Sequence, residues 1–67
     1  MKHIPVDSSN IASVGYEANT LEITFNSGGT YQYKNVPESV FRELLDAPSK
    51  GKFFHQHIKN IYSFVKL

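Results

Sequence analysis

The strongest constraint on the fold is a run of alternating apolar and polar residues on both sides of a glycine pair. From Leu21 to Phe25, positions 21, 23 and 25 are apolar and the two between them are polar. Because side chains alternate between the faces of a strand, this pattern predicts a strand with one face towards a core. Residues 26–29, Asn-Ser-Gly-Gly, tolerate the positive φ angles of a hairpin loop, and residues 30–34 form the return strand. The central element is therefore a β-hairpin.

The return strand carries two tyrosines, Tyr31 and Tyr33, which alternation places on the same face. Aromatic rings on a sheet can stack nucleobases, each worth roughly 1–3 kcal/mol, and phenol hydroxyls can bond phosphates or base edges. Tyr16, on the preceding strand, can extend that surface. The same spacing is also typical of a core under helices, with the hydroxyls reaching its rim. Alternation alone leaves both interpretations open.

Two helices are predicted after the hairpin. Pro37 suits a first helical position because it has no N–H to leave unsatisfied, and this helix extends to about Asp46. A second helix is predicted from about Lys50 towards Ser63, with Ser49 at its N-cap. The residues on the two apolar stripes are Val40, Phe41, Leu44 and Leu45 in the first helix, and Phe54, Ile58, Ile61 and Val65 in the second.

Before the hairpin, residues 4–6 form a short extended lead-in and Ile11 to Tyr16 form a first strand. We therefore expect an α+β fold, in which a three-stranded antiparallel β-meander is followed by two helices packed on one face. No linker or repeat divides the chain, so residues 1–67 form a single domain.

The size of the chain predicts a domain of marginal stability. A domain of 67 residues buries only about 60% of the surface that its unfolded chain exposes, and the chain has no cysteine for a disulfide. Nine aromatic residues leave apolar surface for an interface, so we expect a homo-oligomer. The N-terminus lacks the apolar run of a signal peptide and no segment is long enough to span a bilayer, which predicts a cytoplasmic protein without membrane contact.

Charge is divided unevenly along the chain. Residues 1–46 carry three basic side chains against six acidic ones, a net charge of −3. Residues 47–67 carry four lysines and no acid, a net charge of +4. A basic segment of this kind fits an anionic partner, although four lysines also serve to solvate a helix.

No residues in the sequence suggest catalysis. The only imidazoles are those of His3, His55 and His57, and the last two are spaced i, i+2, which points them to different sides of a helix. A pair of metal-binding histidines on a helix needs i, i+4 spacing. Ser8 and Ser9 lie in a cluster typical of turns. We therefore expect no enzymatic activity, metal or cofactor.

The start of the second helix is a candidate phosphate site. The first N–H groups of a helix are unpaired at the positive end of its dipole, Gly51 allows close approach to the backbone, and Lys50 and Lys52 add charge. The alternative is an ordinary helix start in which Ser49 is an N-cap and Gly51 allows a tight corner between helices.

In this order and spacing, the motifs resemble the KTSC domain family, which is named for the lysyl-tRNA synthetase C-terminal position of some members and has a central Tyr-x-Tyr. The resemblance extends from about Val6 to Tyr62. It rests on Asp7-Ser8-Ser9, Val14-Gly15-Tyr16, Leu21 to Phe25, Gly29-Thr30-Tyr31-Gln32-Tyr33, Val36-Pro37, Ser49-Lys50-Gly51-Lys52-Phe53-Phe54 and Ile58-Lys59. The family pattern matches at Tyr31, Tyr33, Ser49, Gly51 and Lys59, and it departs at His55, where Asn is expected.

The resemblance implies a stand-alone bacterial or phage member of a family for which RNA binding is suggested by the synthetase context. We expect a non-catalytic nucleotide-binding domain, specifically a phage-type oligomeric sponge that sequesters small cyclic nucleotide immune signals. The low net charge of +1 favours a small ligand, because RNA affinity grows with the number of phosphates neutralised. The alternatives are an RNA-binding module and a protein-interaction domain with Tyr-x-Tyr in its core. The expected ligand-binding residues are Tyr16, Tyr31, Tyr33, Ser49, Lys50, Gly51, Lys52 and Lys59.

Overall fold

The computed structural model describes residues 1–67. The chain forms a single antiparallel sheet with two helices on one face. The elements in chain order are β1 (His3–Pro5), β2 (Ile11–Glu17), β3 (Thr20–Phe25), β4 (Thr30–Tyr33), α1 (Glu38–Asp46), α2 (Lys50–His57) and β5 (Phe64–Lys66). The spatial order of the strands is the same as their chain order, and every neighbouring pair is antiparallel.

The sheet has five strands, so the predicted three-stranded meander is wrong in this detail. The lead-in before the first predicted strand pairs with β2 as an edge strand, with Ile4 opposite Val14. Pro5 ends β1, a position where a residue without an N–H is tolerated. At the other edge, β5 pairs with β4 after the helices, with Phe64 opposite Tyr33.

The second helix is also shorter than predicted. It ends at His57, and Asn60 adopts a positive φ of 66°, a conformation that asparagine tolerates and that turns the chain out of the helical path. Of the predicted stripe, Phe54 and Ile58 are buried, whereas Ile61 and Val65 are exposed. Residues 64–66 form a strand because β4 offers an unpaired edge whose backbone groups need partners.

The hydrophobic core lies between the sheet and the two helices. In the hairpin, Leu21 pairs with Tyr33 and Ile23 with Tyr31, which confirms that the two tyrosines share a face. The register shows that this is the apolar face, a choice that the sequence left open. The predicted stripe of α1 also packs against this core, with Leu44 fully buried. The buried core residues are Ile11, Val14, Leu21, Ile23, Tyr33, Val36, Leu44, Phe54 and Ile58. Neither helix is long and apolar enough to cross a membrane.

The opposite face of the sheet carries a polar network instead of a second layer. His3 on β1 bonds Ser13 at 2.8 Å through Nδ1 and contacts the carboxylate of Glu22 on β3 through Nε2. Gly15 lies between His3 and Glu22 in the register, and a Cβ there would be 2.9 Å from the Cδ2 atom of His3. The glycine therefore lets the imidazole reach across β2. Gln32 on β4 donates to the second oxygen of Glu22 at 2.8 Å, which extends the network over four strands.

The Glu22 carboxylate predicts a pH dependence of stability. Hydrogen bonds from Gln32, which has the larger effect, and from His3 hold the pKa of Glu22 below its ordinary value of 4.5, because both stabilise the charged form. A lowered folded-state pKa contributes stability that is present above the unfolded-state pKa and is lost as the pH falls through the folded-state value. We expect the free energy of unfolding, measured by urea denaturation, to fall between about pH 5 and pH 3, and Glu22→Gln to flatten this decline.

Glu43→Gln is the matched control, because Glu43 is exposed on α1 and has no hydrogen-bond or ion-pair partner. Equal flattening of the pH curve by both substitutions would contradict a specific contribution from Glu22.

Candidate functional site

A cleft of about 630 Å³ opens between one end of the sheet and α2. Its volume is in the range of roughly 300–1,000 Å³ that is typical of ligand pockets. Residues from β2 and β3 with their flanking loops, from β4, α2 and β5, and from the turn after α2 form its walls. The lining residues are Ser9, Asn10, Ile11, Phe25, Asn26, Ser27, Tyr31, Tyr33, Gly51, Phe54, His55, Lys59, Asn60 and Phe64. None of them is acidic.

Five aromatic rings form the apolar part of the cleft, and we call them the aromatic pentad: Phe25, Tyr31, Tyr33, Phe54 and Phe64. Each ring contacts two others, so the five form a closed cycle with centroid separations of 5.3 to 5.7 Å. Three of these contacts are edge-to-face, an arrangement that the ring quadrupoles favour, and the other two are tilted. Tyr33 and Phe54 are buried at the base, whereas Phe64 is 55% exposed at the opening.

Tyr33 therefore belongs to both the core and the cleft. Its side chain is 5% exposed, yet its hydroxyl makes no hydrogen bond within the protein. Burial raises the pKa of the Tyr33 phenol above its ordinary value of 10, and the neighbouring Tyr31 adds to the effect. The phenol is therefore neutral at physiological pH and keeps a proton to donate to a ligand.

Polar side chains surround the aromatic pentad at the rim. Asn10, His55, Lys59 and Asn60 line the cleft, and none of their side chains hydrogen-bonds another group of the protein. A second ammonium lies close by, since the Nζ atom of Lys66 is 6.0 Å from the centre of the Tyr31 ring. The rim thus offers amide donors and acceptors, an imidazole and two cations, without a carboxylate.

Four of the eight predicted site residues line this cleft, namely Tyr31, Tyr33, Gly51 and Lys59. Tyr16 lies apart from it: its ring stacks on Phe41 at 5.0 Å, and its hydroxyl donates to the carbonyl of Val36 at 2.6 Å. Tyr16 therefore links β2 to α1 and to the segment before that helix.

The predicted phosphate site at the start of α2 does not converge with the cleft. The Ser49 hydroxyl accepts a hydrogen bond from the backbone N–H of Lys52 at 3.4 Å, the geometry of an N-cap. Lys50 donates to the carbonyl of Ala47 at 3.1 Å, and the side chain of Lys52 is exposed outside the cleft. Only Gly51 reaches the lining, where a Cβ would be 2.9 Å from the Asn10 amide nitrogen. The glycine makes room for that amide.

Sequence reasoning missed the other cleft residues for different reasons. It assigned Phe25 and Phe54 to the core by their spacing, and it continued the apolar stripe of the second helix to Val65, past Phe64. The β-propensity of Phe64-Val65 is the signal that could have identified the last strand. Asn10 and Asn60, which are far apart in the sequence, have no local signal that brings them together.

Comparison with known proteins identifies the family. The KTSC domain family matches residues 7–62, so the chain belongs to this family. A crystal structure of a KTSC domain protein from Yersinia pestis superposes with a TM-score of 0.95 at 44% sequence identity, covering 98% of this chain and 96% of that one.

Two kinds of relative carry the domain. An uncharacterized protein of Stutzerimonas stutzeri (strain A1501) is 43% identical over 61 residues, which are 88% of this chain and 86% of that protein. A lysine–tRNA ligase of Trichormus variabilis is 41% identical over 63 residues, which are 91% of this chain and only 11% of the ligase. The domain therefore occurs both in small proteins and as a minor segment of a synthetase.

The different surroundings of Tyr16 and Tyr33 predict different effects of removing their hydroxyls on the free energy of unfolding. Tyr16→Phe deletes the bond to the Val36 carbonyl and should lower the free energy of unfolding by about 1 kcal/mol. Tyr33→Phe removes a hydroxyl without a protein partner and should leave stability unchanged or slightly raised. Urea denaturation of the two variants measures this difference, and equal losses would contradict the assigned roles.

Proposed function

We propose that this KTSC domain is a non-catalytic nucleotide-binding domain whose ligand occupies the cleft of the aromatic pentad. The observation that carries the proposal is the combination of aromatic surface, unpaired polar groups and cations in one acid-free cleft. Phe64 and Tyr31 at the opening offer ring surface to a nucleobase. The amides of Asn10 and Asn60 match the hydrogen-bonding edge of a base.

Charge supports a ligand with one or two phosphates. Lys59 lines the cleft and Lys66 lies beside the Tyr31 ring, so two ammonium groups flank the aromatic surface. Because no carboxylate lines the cleft, nothing there repels an anion.

The groups in the cleft favour binding over turnover. His55 is its only imidazole, and it has no carboxylate or hydroxyl partner to make it part of a nucleophile–base pair. A protein that binds a nucleotide without cleaving it can act by sequestration. We therefore propose a sponge for small cyclic nucleotide signals, of the oligomeric type that phages use.

RNA binding is the second candidate, and the relatives favour it. The occurrence of a similar segment in lysine–tRNA ligases places related domains in enzymes that act on tRNA. In this version the cleft holds one unstacked base or the end of a strand, because RNA is read mostly through bases that are splayed out of a helix.

A thermal-shift panel tests the proposal directly. Cyclic dinucleotides, cyclic trinucleotides and short single-stranded RNAs are added in turn, and the melting temperature is measured. A ligand that binds only the folded state stabilises it by about 2.7 kcal/mol at a hundredfold excess over Kd, which is readily seen in a domain of this size. Tyr33→Phe should weaken binding while Tyr16→Phe should not, although the latter melts earlier. A panel in which no nucleotide raises the melting temperature would contradict nucleotide binding and leave protein interaction as the role.

The cation in the cleft can be tested against a matched lysine outside it. Lys59→Ala should weaken binding of the nucleotide found in that panel by about ten- to a hundredfold, since a charge-assisted hydrogen bond contributes roughly 1.5–3 kcal/mol. Lys52→Ala removes the same charge from an exposed position and should have little effect on a small ligand.

Isothermal titration at several salt concentrations distinguishes a small cyclic nucleotide from RNA as the ligand, because a bound RNA strand gives a steep salt dependence to which Lys52 also contributes.

A further inference from the structure

The free edge of β5 concentrates the exposed apolar surface of the protein. Six large hydrophobic residues are exposed, and four of them lie in the last seven positions: Ile61, Phe64, Val65 and Leu67. The other two, Met1 and Ile4, belong to the opposite edge of the sheet. An apolar edge strand is a template for pairing with another strand.

The direction of the backbone groups on β5 follows from its pairing with β4. The Ser63 carbonyl accepts from the N–H of Lys34 at 2.9 Å, and the Leu67 N–H donates to the carbonyl of Thr30 at 2.9 Å. In an antiparallel ladder, the backbone N–H and C=O groups of one residue point towards one neighbouring strand, and those of the next residue point away from it, towards the other edge. Positions 63, 65 and 67 therefore bond β4, and the N–H and C=O groups of Phe64 and Lys66 point outward.

We propose that a second copy of this chain pairs with this edge, β5 against β5 in antiparallel orientation, about a two-fold axis at Val65. This register places Phe64 opposite Lys66 of the partner subunit, and the two-fold repeats the pair. Since these are the residues with outward backbone groups, each pair makes two hydrogen bonds, and the two sheets continue into one.

The side chains favour this register over its neighbours. Phe64 lies opposite Tyr33 and Lys66 opposite Tyr31, so both side chains are on the helix-bearing face. Pairing across the two-fold then sets each lysine beside a phenylalanine ring, a favourable cation–π arrangement. Centring the axis on Lys66 would oppose two like charges, which is destabilising. Centring it on Phe64 would pair Lys66 with Tyr62, which precedes the strand.

The same pairing completes the cleft. Phe64 lines the cleft on its β5 side, so the partner subunit's Lys66 would lie at the cleft opening and add a third cation. This consequence rests on the proposed function, whereas the pairing itself rests on the strand edge alone. A nucleotide with more than one phosphate would then bind more tightly to the dimer than to the monomer.

A charge-exchange experiment at Val65 tests the interface. Val65 is 51% exposed, lies on the face without helices and would contact its own copy at the two-fold. Val65→Glu and Val65→Lys each place like charges opposite each other in the dimer but cost little in the monomer. Sedimentation equilibrium from about 10 µM to about 1 mM covers the weak association expected of so short a strand. We expect wild type to dimerise, each variant alone to be monomeric, and an equimolar mixture of the two to form a heterodimer.

Ile4→Glu is the matched control, because Ile4 is 45% exposed on the opposite edge of the sheet. Its dimerisation should equal that of wild type. A monomeric wild type at about 1 mM, dimers in both Val65 variants alone, or loss of the dimer in Ile4→Glu would each overturn the proposal. Circular dichroism confirms that each variant is folded. Sedimentation is carried out without nucleotide, so a failure of dimerisation is distinguishable from a failure of nucleotide binding in the thermal-shift panel.

Discussion

Packing of the aromatic pentad joins the hairpin, α2 and β5, which are far apart in the sequence. Tyr33 contacts Phe54 of α2 and Phe64 of β5, while Phe25 contacts Phe54 from the neighbouring strand. These rings provide the aromatic contacts between the hairpin, the second helix and the last strand. A two-stranded hairpin alone is marginally stable in water, so the packing of the sheet against the two helices, to which Tyr33 and Phe54 contribute, stabilises the folded domain.

The two faces of the sheet are stabilised by different interactions. The helix-bearing face buries apolar side chains, which is the main source of stability in a small domain. The other face has no covering layer, and its central side chains satisfy one another across strands, with Glu22 bonded by both His3 and Gln32. This network fastens the short β1 strand, which has only three residues in the sheet. The N-terminal edge is thus held by polar contacts and the C-terminal edge by aromatic ones.

Membership of the KTSC family and the geometry of the cleft give two independent kinds of information about function. The family relates the domain to a minor segment of lysine–tRNA ligases and to small proteins that consist mostly of this domain. The cleft adds chemical information that family membership does not give: aromatic rings at its bottom, polar side chains at its rim, and cations without carboxylates. The central Tyr-x-Tyr connects the two, because Tyr33 supports the core while both tyrosines line the cleft.

Local patterns were sufficient to predict the hairpin, the shared face of its two tyrosines and the first helix. Period-two alternation and helical spacing are properties of neighbouring residues, so a sequence carries them without knowledge of the fold. The two edge strands could not be predicted in the same way. Residues 3–5 and 64–66 are too short to form strands alone, and they are extended because β2 and β4 present unpaired backbone groups beside them.

The cleft likewise depends on tertiary structure. Asn10 and Asn60 both line it only because α2 returns over the sheet. Tyr16 lies outside the cleft because its ring stacks on Phe41 and its hydroxyl donates to the Val36 carbonyl. The sequence by itself determined the alternating hairpin, the aromatic content and the basic C-terminal third, since these follow from residue order alone. Only the tertiary structure decided which aromatic residues share a cleft and which lysines lie beside it, because those distances depend on how the helices and edge strands pack.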